Sequence, residues 1–575
     1  MNTVSHRAQF NAETLLVHCR RMEQLKGNAL HMPSALLEPD VLCHLELLLN
    51  RGYFPLQGFM GREDYDAVLD RMALADGTFW PMPVTVPVPA AVAKSLEKGA
   101  MLALRDQEGF MLAVLFVEDL WQPDLSREAM ALHGTCDPAA HPEVAQLLQR
   151  QDCWYVGGRV EGLHLPQHFD FTTLRHTPAQ LHRQFTEQGW KRVIGYQSCT
   201  PLHAMHREML LAAALEADAK LLLCPTIHPA RLADVEHFSL VRCHELFVRH
   251  LPKNLARINL IPLPMPHAGI RGALLQAMVL RNYGCSHVLW PANTPELPET
   301  AALRTLAGLP DQEQTGEALD ARREVLDIVP MRATPRVYVQ ELGIFVQPEE
   351  VKPEMTAVAM DHAQVMLLLQ QDAPVPEWAS TPDVLEELRR AMPPRSRQGF
   401  TLFLTGLSGA GKSTLAKVLY VKLSELQDRP VTLLDGDVVR RNLSSELGFH
   451  KEHRDLNVRR IGFVASEITK NRGIAICAPI APYAQPRADV RSLISCYGGF
   501  VEIFMATPLE VCEQRDRKSL YAKARAGIIK GVTGVDDPYE IPEHPELIID
   551  TTEITPVEAA ACVIDWLVNE GYLQR

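Results

Sequence analysis

No apolar run in the 575-residue chain reaches the roughly 18 residues that a membrane-spanning helix needs. The nearest stretch, 209–224, is interrupted by Glu216, Asp218 and Lys220. The first residues lack the basic-then-apolar layout of a secretory signal. Twelve cysteines are scattered between Cys19 and Cys562 without a single CxxC pair, which argues against a zinc ribbon or a disulfide framework. A basic excess is also missing: 57 Lys plus Arg stand against 70 Asp plus Glu, a formal charge of −13. A general nucleic-acid binder shows the opposite balance. There is no internal repeat. These absences point to a soluble, cytoplasmic protein with neither nucleic acid nor membrane as partner. An anionic substrate would have to be held by local cations against the overall field.

What is present is ordinary globular composition, 47% hydrophobic and 22% charged. At about 150 residues per domain the length suggests roughly four structural units. The clearest boundary is the proline-rich, basic stretch 392–399, followed by the apolar run 400–406. Residues 1–168 hold several proline-rich, strand-like pieces, such as 78–89, and read as a mostly β domain. From 190 onward short apolar runs alternate with helical patterns, as expected for a parallel α/β sheet. The same texture returns from 400, with strands expected near 400–406, 431–437, 474–483 and 500–507.

The strongest motif is Gly406-Leu407-Ser408-Gly409-Ala410-Gly411-Lys412-Ser413-Thr414. It fits GxxxxGK[ST], follows a strand and opens a helix, which is the context that such a loop needs. Glycines let backbone N–H groups close around phosphate oxygens, and the helix N-terminus adds positive potential. Lys412 brings a mobile charge to the β and γ phosphates of ATP, and Ser413 can ligate Mg²⁺. The second strand ends at Asp435 and Asp437. Two carboxylates at a carboxyl edge suit coordination of Mg²⁺, partly through water, and acceptance of a proton from an attacking hydroxyl.

Residues 433–462, 480–491 and 508–540 resemble adenylylsulfate (APS) kinase, and the resemblance covers essentially all of 400–575. It implies transfer of the γ-phosphate of ATP to the 3′-hydroxyl of APS, giving PAPS and ADP. On matching positions it implies a Mg²⁺-associated acidic pair, Asp435 and Asp437, with Asp435 the candidate base. It makes Arg440, Arg454, Asn457 and Ile480 binding residues for APS and Phe449 an aromatic that stacks on the adenine. Lys523, Arg525 and Lys530 lie in a lid segment that can close over phosphates. Three positions depart from the family. Val438 stands where Asn is common. Ala481 stands where many members have a Ser sometimes assigned as a phosphorylated intermediate, so transfer is expected to be direct and in line. Val532 stands where a Phe completes the adenine sandwich, so one stacking face is expected to be weaker.

The first 390 residues resemble ATP sulfurylase. Residues 49–86 are similar to its PUA-like N-terminal domain, and 195–210 and 268–287 to its nucleotide-binding stretches. The family reads Q-x-R-N-P-x-H-x-x-H where this chain has Gln197, Cys199, Thr200, His203 and His206. Its GRDHAG stretch is replaced by Pro291-Ala292-Asn293-Thr294, and its SGT-x-x-R by the stretch Asp361 to Met366. Sulfurylation brings two anions together, and one lost transition-state donor can cost roughly 10²–10³ in rate. The missing arginines are therefore expected to leave little sulfurylase activity.

The expected fold class is α/β in four pieces. These are a mostly β PUA-like domain over 1–168, a Rossmann-like nucleotidyltransferase-type domain over 169–330, a small subdomain and linker over 331–391, and a P-loop parallel-sheet kinase over 398–575. The expected activity is APS kinase with a degenerate sulfurylase-like region. A bifunctional sulfurylase/kinase and a nucleotide-sensing regulatory module remain as alternatives. Both families commonly self-associate, so the resemblance also implies a homo-oligomer, a dimer or a hexamer.

Overall fold

The computed structural model describes all residues except 1–13, 30–31, 141, 151, 227–234, 264–268, 291–311, 427–428, 449, 517–518 and 575. It divides into two compact units. One is Met1–Val365 with Val375–Ala391, and the other is Met366–Pro374 with Met392–Arg575.

The first unit begins with a seven-stranded sheet built around the long strand Cys153–Gly162. Strands Met111–Phe116, Val86–Pro89, Asp119–Trp121 and Gly58–Phe59 all pair with it antiparallel. This region carries more helix than its proline-rich sequence suggests. Pro39–Leu49, Arg62–Arg71 and Leu125–His133 are helical, and Pro39–Leu49 buries Val41, Leu45, Leu47, Leu48 and Leu49. Of the strand-like stretch 78–89 only Val86–Pro89 forms a strand, and Phe79 makes an isolated bridge to Ala73. Pro81 and Pro83 have no N–H for a ladder, which keeps the preceding residues out of the sheet.

Behind it lies a five-stranded, all-parallel sheet in the order Ala256–Ile258, Lys220–Pro225, Val193–Ser198, His287–Trp290, Val329–Arg332. In chain order that is 3-2-1-4-5. The direction of winding reverses between Val193–Ser198 and His287–Trp290, and a ligand crevice forms at the carboxyl ends of such a pair. The two segments that depart most from the sulfurylase pattern, 197–206 and 291–294, follow these two strands. The second segment lies outside the described residues. A small antiparallel sheet, Ile344–Val346, Val337–Val339 and Ala357–Val358, completes this unit.

The second unit is also a five-stranded parallel sheet, in the order Val431–Asp435, Ile474–Ala478, Phe400–Gly406, Gly499–Met505, Leu547–Ile549. Every residue of Phe400–Gly406 is buried, as expected for a central strand covered on both faces. Helix Lys412–Leu426 lays Leu415, Ala416, Leu419 and Leu423 into the core, a helical stripe facing the sheet. Helix Pro556–Asn569 buries Ala559, Ala560, Val563 and Leu567, and a reciprocal box between Thr555 and Glu558 caps it.

Helices Lys451–Lys470 and Ala484–Ser495 pack closely because Gly462 presents no side chain. A Cβ there would overlap the methyls of Val490. Replacing a mid-helix Gly by Ala gains about 1 kcal/mol of helix propensity, whereas overpacking a filled contact costs roughly 1–3 kcal/mol. The steric cost wins. Gly462→Ala is expected to lower the denaturant midpoint of this unit, with Val490→Ala in the same chain recovering part of the loss. An unchanged or raised midpoint in the single variant would contradict the close packing.

Candidate functional site

The phosphate loop leaves the carboxyl end of Phe400–Gly406, where the winding of the sheet reverses. Gly409 and Gly411 adopt φ of 83° and 93°, a left-handed conformation that side-chain-bearing residues rarely take. A Cβ on Gly409 would also meet the Cys512 carbonyl oxygen at 2.8 Å. The loop is braced from a distance. The carbonyl of Ala410 accepts from the hydroxyls of Thr507 and Thr551 at 3.4 and 3.3 Å. Arg515 holds Thr551 through its Oγ1 and carbonyl at 2.8 and 2.7 Å, and Tyr521 donates to the Ser408 carbonyl at 2.8 Å. None of these four braces was singled out from sequence. They lie about 100 residues downstream, and a loop motif carries no signal for them.

Lys412 is buried, and its Nζ donates to the carbonyls of Gly406 and Leu407 at 2.8 and 2.7 Å. Ser413 and Thr414 are exposed at the start of the helix. The Ser413 hydroxyl donates to Asp435 Oδ1 at 3.3 Å. Asp435 ends its strand and precedes helix Gly436–Leu443. Two hard oxygen donors therefore sit together at the carboxyl edge, a donor set that suits Mg²⁺. Asp437 lies in the first turn of that helix, and its side chain is outside the description.

Of the residues expected to bind APS, Ile480 follows the strand Ile474–Ala478 at the same carboxyl edge. Ile480 is half-buried, and its carbonyl accepts from Thr405 Oγ1 at 2.7 Å and from the Gly406 N–H at 3.3 Å. Arg440 Nη1 lies 3.4 Å from the carbonyls of Leu447 and Gly448, so it fixes the turn that leads to Phe449. Phe449 itself lies outside the described residues. Arg454 donates to Thr533 Oγ1 and pairs with Asp537, both at 2.9 Å. Asn457 is buried with its Oδ1 lacking a hydrogen-bond partner, and an orphaned acceptor of that kind is suited to an incoming donor.

Two residues of the lid segment have partners within the protein. Val532 is turned into the protein. It is 5% exposed and packs in the same apolar core as Ala410 and Tyr521, in keeping with a weaker stacking face at this position. Arg525 is paired with Glu513 at 2.7 Å rather than held open for phosphate. Lys523 and Lys530 are exposed. Ala481 is buried with φ of 46°, and its carbonyl accepts from Arg487 at 2.7 Å.

In the first unit the histidine pair meets a third histidine. His203 precedes helix Ala204–Glu216, and its N–H donates to His206 Nδ1 at 3.1 Å, which closes the helix start. His203 Nδ1 is 2.9 Å from Ser380 Oγ, and its Nε2 is 3.0 Å from His362 Nδ1. Two of the three divergent sulfurylase segments therefore converge. Burial pulls the His203, His206 and His362 rings below their usual pKa, His206 to about 4. The cluster is a set of neutral, mutually bonded rings. Cys199 is exposed, Gln197 and Thr200 are half-buried, and Met366 is buried in helix His362–Gln370.

In chain order these features define a PUA-like domain, a Rossmann-like nucleotidyltransferase-type domain and a P-loop kinase fold. Family models match in that order: a PUA-like domain over 8–165, ATP-sulfurylase over 172–391 and adenylylsulphate kinase over 398–550. The chain is 36% identical over 559 residues to the sulfate adenylyltransferase of Aspergillus fumigatus, covering 96% of each chain. It is 38% identical over 547 residues to that of Mycosarcoma maydis, covering 94% of this chain and 95% of the relative. Among solved structures, a protein described as a hexameric APS kinase from Thiobacillus denitrificans superposes with a TM-score of 0.79 at 39% identity, covering 97% of this chain and 98% of that one. The chain belongs to the family of ATP sulfurylase–APS kinase fusions. It is an enzyme carrying both domains, with ATP as a substrate. The names of the fungal relatives lend no support to the expected loss of sulfurylase activity, which rests on residues of this chain alone. No helix among the described residues is long and apolar enough to cross a membrane.

Protonation of the histidine cluster sets a pH dependence. A folded His206 ring titrating near 4 binds fewer protons than an unfolded ring near 6.5, so stability rises with pH between those values and falls on acidification through that window. That ring contributes up to about 1.4 kcal/mol per pH unit. Amide exchange in helix Ala204–Glu216, corrected for intrinsic rate, is expected to speed up as pH drops from 6.5 to 5. The same exchange in His206→Gln is expected to depend less on pH. Equal slopes in the two proteins would contradict a neutral buried His206.

Proposed function

We propose that the protein is an adenylylsulfate kinase. Its C-terminal unit moves the γ-phosphoryl group of ATP directly and in line to the 3′-hydroxyl of APS, and its sulfurylase-like region does not make APS. The observation that carries the kinase reading is the joint placement of Lys412, Ser413 and Asp435 around the phosphate loop. Backbone N–H groups of 409–414 cradle the β-phosphate at the helix start, and Lys412 shifts its charge from the loop carbonyls to the transferring phosphoryl group. Asp435 accepts the proton of the 3′-hydroxyl as that oxygen bonds phosphorus and the bond to ADP breaks. Ser413 and Asp435, the latter partly through water, would hold Mg²⁺, which neutralises charge on the β and γ phosphates. Ala481 offers no hydroxyl, which supports transfer without a phosphoenzyme.

The loss of sulfurylase activity is supported by Cys199 and Thr200, which replace a cation and an amide, and by the neutral rings of His203, His206 and His362. Two anions meeting at such a site find little of the positive charge that the reaction demands. A second reading, a bifunctional enzyme that makes and consumes APS, is favoured by the names of the fungal relatives. The description of the Thiobacillus denitrificans protein supports the kinase reading and a homo-oligomeric assembly. The absence of any disulfide among the described cysteines supports a cytoplasmic setting.

Lys412→Ala is expected to leave a cooperatively folded protein whose kcat for PAPS formation is lower by orders of magnitude. The check is PAPS formation from ATP and APS alongside a melting curve. Near-wild-type turnover by the folded variant would overturn the kinase reading.

A further inference from the structure

Asp537 joins three segments of the second unit at one point. Its carboxylate pairs with Arg454 Nη1 at 2.9 Å, from helix Lys451–Lys470. Both of its oxygens also accept from the Tyr483 hydroxyl at 3.0 Å, at the end of the sheet-edge segment that contains Ile480 and Ala481. Asp537 itself belongs to the lid segment, where its carbonyl accepts from the Gly534 N–H at 2.8 Å. Thr533, one turn earlier in that segment, holds the same Arg454 nitrogen at 2.9 Å.

The side chains are largely withdrawn from water: Arg454 is 12% and Asp537 17% exposed. A long Arg side chain would otherwise sample many rotamers, and fixing it on binding costs about 0.5–1.5 kcal/mol for each immobilised side chain. Here the cost is met before any ligand arrives. The Tyr483 ring supports the same arrangement from below, with the Arg454 guanidinium 5.6 Å and the Lys451 ammonium 4.6 Å from its centroid. Burial and the bond to Asp537 raise the Tyr483 hydroxyl to about 12, so it stays a donor at neutral pH. Arg454 Nε remains without a hydrogen-bond partner, so the guanidinium keeps a donor for an incoming oxygen.

We propose that Asp537 is a positioning residue of the kinase site: it fixes Arg454, and through Arg454 the grip on the anionic acceptor substrate, while tying the lid to helix Lys451–Lys470. The inference rests on the kinase reading for the identity of that substrate, APS. Asp537 touches no reacting atom. Its removal therefore acts on acceptor binding and leaves the ATP side unchanged, because the braces of the phosphate loop belong to other residues.

The experiment is titration calorimetry of APS into the full chain with ADP filling the nucleotide site, paired with steady-state PAPS formation. It compares wild type, Asp537→Asn, Arg454→Ala and the double variant. Asp537→Asn keeps the shape and removes the charge. It is expected to weaken APS binding at least tenfold, to raise KM for APS by a similar factor and to leave KM for ATP within twofold. In the Arg454→Ala background the same substitution is expected to change APS binding by less than twofold, since a residue that acts through Arg454 has nothing left to act on. Unchanged APS binding in Asp537→Asn, or an equal loss in both backgrounds, would overturn the inference. Parallel rises in both KM values would also overturn it, because a merely structural role moves both. APS binding that depends on Asp537 without PAPS formation would overturn only the kinase reading. A wild-type protein that binds no APS would overturn both.

Discussion

Bringing two anions within bonding distance on a chain of formal charge −13 is the constraint on which the rest of the C-terminal unit depends. Bulk charge works against it, so positive potential has to be local and fixed. The phosphate loop supplies it through backbone N–H groups, which carry no net charge and need no counterion. The cost is a backbone conformation that only glycine tolerates, at Gly409 and Gly411, and a long-range scaffold to hold it. Thr507, Thr551, Arg515 and Tyr521 are that scaffold. Lys412 is kept in place by the loop's own carbonyls, so its charge is ordered before a nucleotide binds. Preorganised charge of this kind is what phosphoryl transfer relies on, since the protein has little covalent chemistry to perform.

The N-terminal unit has a similar sheet edge, and the proposed loss of sulfurylase activity would follow from that constraint being relaxed there. Its winding also reverses beside the first strand, and the histidines at the strand's end are still present. They have turned inward, onto Ser380, His362 and each other. The cluster closes the helix start and ties it to His362 and Ser380, with burial holding its rings toward the neutral form.

The parts of this architecture that were legible in sequence are the local ones. Four of the five kinase strands were readable as apolar runs, whereas Leu547–Ile549 was not, because three residues at a sheet edge carry too little pattern. The phosphate loop was legible because its spacing is contiguous and its flanks are a strand and a helix. Arg440, Arg454 and Asn457 were found only through family resemblance. Their actual partners, the carbonyls of Leu447 and Gly448 for Arg440 and the Asp537 carboxylate for Arg454, depend on tertiary placement. The His203–His362 contact spans 159 residues and no periodicity announces it. The burial of Val532 was not legible either, because no local pattern shows that the core beneath the loop takes an apolar side chain from the lid segment.

The central claim is that one site has kept its fixed positive charge and the other has lost it. Two rates measured on one preparation of the full-length chain test it: PAPS formed from ATP and APS, and sulfate-dependent pyrophosphate released from ATP. The account predicts ready PAPS formation, with pyrophosphate release lower by at least roughly 10²-fold, the loss expected from even one missing transition-state donor. Pyrophosphate release within about tenfold of the kinase rate, a difference of only about 1.4 kcal/mol in barrier, would contradict it.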